Sequence, residues 1–137
     1  MLSEKPIEPA LPTKIPSHTE IMKMRRLQEA AKLELRRTRA EDAGIPALRR
    51  LIAVAQGSSG QSRICANFLL SLNDCSVFTF KLIELRNLDM HLWEDCMLVL
   101  KLDQRPRAEI HCLIENGHSI WEELQSTWKA QLLSRNG

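Results

Sequence analysis

No apolar run in this 137-residue chain approaches the ~18 consecutive residues that a bilayer-spanning helix requires, so no membrane partner is expected. The N-terminus, Met1-Leu2-Ser3-Glu4-Lys5-Pro6, has no positive segment followed by an apolar one. It does not read as a secretory leader, and a cytoplasmic protein is expected. The four cysteines, Cys65, Cys75, Cys96 and Cys112, contain no C-x-x-C pair. A secreted disulfide scaffold would be denser in cysteine, so reduced and mostly buried thiols are expected. No Lys-Ser/Thr follows a glycine at the spacing of a phosphate-binding Walker A loop. Asn-Gly hairpin turns and sustained period-2 alternation are missing as well, which argues against a sheet.

What is present suits one helical domain. Hydrophobic residues make up 44% and charged residues 26% of the chain, the balance of an ordinary globular protein. Four prolines within residues 1–17 favour extended chain, and a disordered tail is expected there. Ser17-His18-Thr19-Glu20 then fits a capping box, and residues 18–42 hold no Gly or Pro and are rich in helix formers. Ile21, Met24, Leu27, Ala31 and Leu35 trace an apolar stripe too thin for a core helix and suited to an arm lying on something else.

The net charge of +2 conceals an asymmetry. Glu20 to Arg39 carries seven basic residues against three acidic ones, and the rest of the chain from residue 40 carries ten against twelve. The basic residues, Lys23, Arg25, Arg26, Lys32, Arg36, Arg37 and Arg39, are candidates for contact with a partner or with nucleic-acid phosphates. Lys32, Arg36 and Arg39 are expected on one side of the helix, with Arg25 offset by about half a turn. The apolar stripe also suits a short coiled coil, which makes a homodimer through the arm a candidate assembly.

Gly44 and Pro46 are expected to end the arm and open a second helix, with Gly57 as a left-handed cap. A third helix over Gln61 to Ser71 faces inward through Ile64, Cys65, Phe68, Leu69 and Leu72. Val77 to Phe80 reads as a short extended piece, and Thr79 as the cap of a short helix carrying Leu82, Ile83 and Leu85. A longer helix over Leu88 to Leu102 aligns Leu88, Leu92, Cys96 and Val99. Pro106 to Gly117 repeats the proline-start, glycine-stop punctuation, and a second capping box at Ser119 to Glu122 starts the last helix. The expectation is all-α: a compact bundle of about five helices over 44–137, preceded by a basic helical arm over 18–43 and the proline-rich tail over 1–17.

The residues Ala55, Gly57, Gly60 to Arg63, Ala66, Phe68 to Leu70, Asn73, Asp89, Asp95, Met97, Gly117, Leu124 and Trp128 together resemble a bacterial domain of unknown function. That family is carried on integrative and conjugative elements and plasmids, and the resemblance covers roughly residues 47–130. The chain departs from the family pattern at Leu72 and Thr79, where a tryptophan and an acidic residue stand. The resemblance implies a mobile-element setting and no chemistry.

Four groups of residues are weighed as sites. Ser59, Gly60, Gln61, Ser62 and Arg63 form a candidate anion site at a helix start, against a plain turn whose serines cap the helix. His91 and Asp95 are i,i+4 neighbours sharing a face with Glu94 and could share a proton, but Asp89 points away, no nucleophile lies in reach and a solvated face is the plainer reading. His111, Cys112 and His118 lack the close ligand pairs of structural zinc, so no metal or cofactor is expected. Trp121 and Trp128, seven apart, are read as core or as candidate interface aromatics, and Trp93 is read with them. A non-enzymatic protein is expected, mobile-element cargo that binds a host or defence protein complex. The alternative is a nucleic-acid-associated protein acting through its basic arm.

Overall fold

The computed structural model describes residues 15–136, so the expected proline-rich tail falls almost wholly outside the described residues. The described chain is all-helical. Its elements are α1 (His18–Ala55), α2 (Gly60–Asn73), α3 (Met90–Gln104) and α4 (Gly117–Asn136), with 3-10 helices over Leu82–Asn87 and Ile110–Leu113. Contacts divide the chain into two units, one ending at Glu34 and the other running from Leu35.

In the first unit the expected capping box is formed. The Glu20 amide donates to Ser17 Oγ at 3.2 Å, and the Ser17 amide to Glu20 Oε2 at 3.3 Å. Two of the orphan donors at the start of α1 are thereby satisfied.

In the second unit the expected break at Gly44 does not occur, and α1 continues to Ala55 with Pro46 inside it. Gly44 serves close packing instead of termination. A Cβ there would lie 2.9 Å from Leu102 Cβ and 3.1 Å from the Leu98 carbonyl, so only hydrogen fits between α1 and α3. Pro46 removes one donor from the helix, but it and Asp42, whose carbonyl loses that bond, both face solvent. Water can then take the place of the missing amide, which lowers the cost of an interior proline.

The core is assembled around α2. Ser62, Ile64, Cys65, Ala66, Asn67, Phe68, Leu69 and Leu70 are all buried, a run that covers every side of the helix. A helix buried all round belongs at the centre, and α2 packs against α4 and both 3-10 helices. α1 contributes Ala47, Leu48, Leu51, Ile52 and Ala55; α3 contributes Leu92, Cys96, Val99 and Leu102; α4 contributes Trp121, Leu124, Trp128 and Leu132. Phe78 seals the core from the loop after α2, and Phe80 meets Phe68 edge to face at 5.4 Å.

The punctuation differs from expectation at further points. Gly57 is not left-handed; the described glycines have no positive φ. Its value is space, because a Cβ would come within 2.8 Å of Ser62 Oγ. Gly117 opens α4 and does not stop a helix, and a Cβ there would collide with the His111 carbonyl at 1.6 Å. The left-handed residue is Asn116 (φ 58°), a residue type that tolerates this conformation, and Ser119 lies inside α4 and not at its start. Val77 to Phe80 forms no strand, and Lys81, with no side-chain cap bond, precedes the first 3-10 helix in place of Thr79.

Candidate functional site

The turn between α1 and α2 is built as a fastening. Ser59 stands at the N-cap of α2 and its Oγ accepts the Ser62 amide at 3.0 Å, while the Ser59 carbonyl accepts the Arg63 amide at 3.1 Å. Gln61 clamps Asp89, donating to its carboxylate at 3.0 Å and accepting its amide at 2.8 Å. Arg63, largely buried, pairs with Glu84 at 3.3 Å. The five residues proposed from sequence as an anion site are therefore gathered at one helix start, with Gln61 and Arg63 spent on the segment that joins α2 to α3. A phosphate would have to displace Glu84 from Arg63.

Asp95 is turned inward and not toward His91. It is 5% exposed and takes a two-pronged contact from Arg50, with Nη2 at 2.8 Å and Nε at 3.1 and 3.2 Å. His91 is exposed, so the proton-sharing pair read from sequence is not assembled. Beneath Asp95 lie Cys65 and Cys96, both buried. Burial, then the Asp95 charge, pushes the Cys65 thiol up to about 12. Cys96 is raised to about 12 by burial first, then by Cys65 and Asp95. Thiols held this strongly protonated are poor nucleophiles and poor ligands. Cys75 and Cys112 are exposed, where burial of most of the thiols was expected.

His111 lies 6.1 Å from the Trp121 ring and 6.2 Å from His118. Buried His111 Nδ1 and Trp121 Nε1 have no hydrogen-bond partner among the described residues. Among the described residues no three His, Cys, Asp or Glu side chains converge to hold a metal ion. His118 instead contacts Glu122 at 3.1 Å one turn along α4.

Trp121 and Trp128 are buried, which removes them as interface aromatics in the folded chain. Trp128 Nε1 donates to the Ala55 carbonyl at 2.9 Å, satisfying one of the orphan acceptors at the end of α1. Trp93 is the exposed tryptophan. Its position was readable, because it follows inward-facing Leu92 and so sits about 100° away from the α3 stripe.

The arm keeps its apolar residues in solvent. Met24 is 55% and Leu27 72% exposed, with Ile21 and Ala31 exposed beside them. Lys23, Arg25, Arg26 and Lys32 are exposed in the first unit, and Arg36 and Arg39 in the second. Arg25 and Lys32 are seven residues apart on a regular helix and so share a face, correcting the expected half-turn offset. Arg37 is half-buried and donates to the Arg105 carbonyl at 3.1 Å, so it is committed within its own chain.

Further exposed apolar residues lie outside the arm. Leu82 and Ile83 on the first 3-10 helix, and Met90 and Trp93 at the start of α3, are all exposed, Leu82 at 76% and Met90 at 72%. The signal was present: adjacent apolar residues on a single short turn cannot both face inward. The Arg63–Glu84 and Gln61–Asp89 contacts hold this segment against the start of α2.

A family model matches residues 45–129, well over half of the chain. The chain belongs to the Family of unknown function (DUF7673). No curated protein and no solved structure matches it. The DUF7673 segment contains the fastening at Gly57–Arg63, the Arg50–Asp95 pair and both buried tryptophans. The residues of the arm lie outside the match.

No helix among the described residues is long and apolar enough to cross a membrane.

Proposed function

We propose that this is a non-catalytic helical protein of the cytoplasm that works by binding another protein. The observation that carries the reading is the exposure of Leu82, Ile83, Met90 and Trp93 on consecutive elements tied to the start of α2. Exposed large apolar side chains grouped in this way mark contact surfaces more often than catalytic ones. The titratable residues favour the same reading, since Asp95 is spent on Arg50 and the buried thiols are held protonated. We carry the bacterial mobile-element setting over from the sequence resemblance alone, and on that setting alone propose a host or defence protein complex as the partner.

The test is purification of the tagged chain from its host at high salt after nuclease treatment, beside a Leu82→Asp/Met90→Asp variant. A stoichiometric protein retained by the wild type and lost by the variant is expected, with the variant's unfolding transition unchanged.

A second reading is favoured by the exposure of Lys23, Arg25, Arg26 and Lys32. In it the arm binds nucleic-acid phosphates without reading sequence. Nucleic acid that co-purifies at low salt, and whose log–log salt slope falls by about one for each of these cations removed, would put this reading first.

A further inference from the structure

The first unit's helix carries a pattern that its solvent exposure alone does not explain. Placing Ile21 at heptad position a puts Met24 at d, Gln28 at a and Ala31 at d, a seam along one side of α1. The same count puts Arg25 and Lys32 at both e positions, and Glu20, Leu27 and Glu34 at the g positions. Base occupies e throughout, and g is acidic or apolar. Ile21, Met24, Gln28 and Ala31 along the seam are exposed, and so are Arg25 and Lys32 beside it.

The charges select the partner and its direction. Two parallel helices bring g of one against e of the other, which sets Glu20 against Arg25 and Leu27 against the apolar stem of Lys32. Two antiparallel helices bring g against g and e against e, which sets Glu20 against Glu34 and arginine against arginine. Like charges held opposite each other disfavour that arrangement. A foreign helix would need to present the same acid-and-base order, whereas a second copy of this chain supplies it by identity.

Gln28 fixes the register. Aligned copies place Gln28 against Gln28, where the two amides can satisfy each other across the seam. A slip of one heptad would set the amide against Ile21 and leave it unpaired among apolar groups, which is costly.

We propose that residues 20–34 form a parallel, in-register two-stranded coiled coil with a second copy of this chain. This deepens the interaction reading by naming what covers the arm, and leaves the Leu82–Trp93 surface for another protein. The seam is short and contains Gln28 and Ala31, so the dimer is weak and depends on concentration.

The experiment is sedimentation equilibrium of the nuclease-treated full chain over a concentration series, with oxidative cross-linking. A mass rising from one chain toward two is expected. Arg25→Glu/Lys32→Glu should weaken the dimer about tenfold, equivalent to about 1.4 kcal/mol. Its helicity serves as the control that the arm is still folded. On a background of Cys75→Ser and Cys112→Ser, Ile21→Cys should cross-link with itself, since a parallel seam aligns equal positions. A monomer at every concentration overturns the inference. So does cross-linking of Ile21→Cys with Ala31→Cys in place of Ile21→Cys with itself, which marks an antiparallel pair. A monomer that still captures a protein through Leu82 and Met90 separates failure of this inference from failure of the interaction reading.

Discussion

Two stretches of α1 make the same secondary structure for different reasons. Over residues 18–34 the helix rests on its formers and on the Ser17–Glu20 capping box, and Met24 and Leu27 stay in water. Over residues 44–55 it rests on burial, with Gly44, Ala47, Leu48, Leu51, Ile52 and Ala55 packed away. The first stretch has a thin stripe flanked by charge, and the second has the broad i, i+3, i+4, i+7 face of a core helix. Helix formers set what the backbone does, and the width of the apolar face sets whether a core forms on it. That difference also explains how the second stretch tolerates Gly44 and Pro46, because packing offsets the loss in propensity.

The comparison can be broken most severely at the end of the packed stretch. Trp128→Ala should lower the unfolding free energy by about 3–5 kcal/mol in denaturant titrations, through the cavity and the stranded Ala55 carbonyl. An effect the size of a surface substitution would mean that α4 does not hold the end of α1. Gly44→Ala tests the other end of that stretch. In an open helix this change stabilises by up to about 1 kcal/mol, but here the collision with Leu102 should make it destabilising by about 1–3 kcal/mol. A raised unfolding midpoint would show that α1 and α3 are not in close contact at Gly44.

The thiols sharpen the contrast between core and surface. Cys65 and Cys96 are raised from 9.0 to about 12, so the folded chain holds protons that the unfolded chain releases. Their contribution to stability is complete below pH 9.0 and is lost as pH rises from 9.0 toward about 12. Denaturant midpoints should therefore fall across that window. In the native protein a thiol reagent should modify Cys75 and Cys112 first, and reach Cys65 and Cys96 on unfolding. Fast labelling of all four would contradict the burial of α2. The smallest effect is expected in the arm, where Met24→Gln and Leu27→Gln should each shift monomer stability by less than about 0.5 kcal/mol.

Much of this division was legible in the residues. The inward faces of α3 and α4 followed from helical spacing of Leu92, Cys96 and Val99, and of Trp121, Leu124 and Trp128. The capping box at Ser17 was legible because both partners are local. Punctuation by glycine was not. Gly44, Gly57 and Gly117 look like stops in one dimension, and each is explained by an atom of another element or a distant turn: Leu102, Ser62 and His111. The candidate sites failed for a related reason. Asp95 and Arg63 take partners 45 and 21 residues away, and no periodicity within one helix announces Arg50 or Glu84. The exposure of Leu82, Ile83 and Met90 is not legible in apolar character alone, which a core residue and a surface residue share.

The hydrogen bond from Trp128 to Ala55 spans 73 residues, and it bears on how the chain is made. During synthesis the end of α1 leaves the ribosome while the α4 side chain that pairs with it is still untranslated. Local helices can form early, but this contact waits for α4. Through that interval the Ala55 carbonyl lacks its donor, and a product truncated before Trp128 would never supply it.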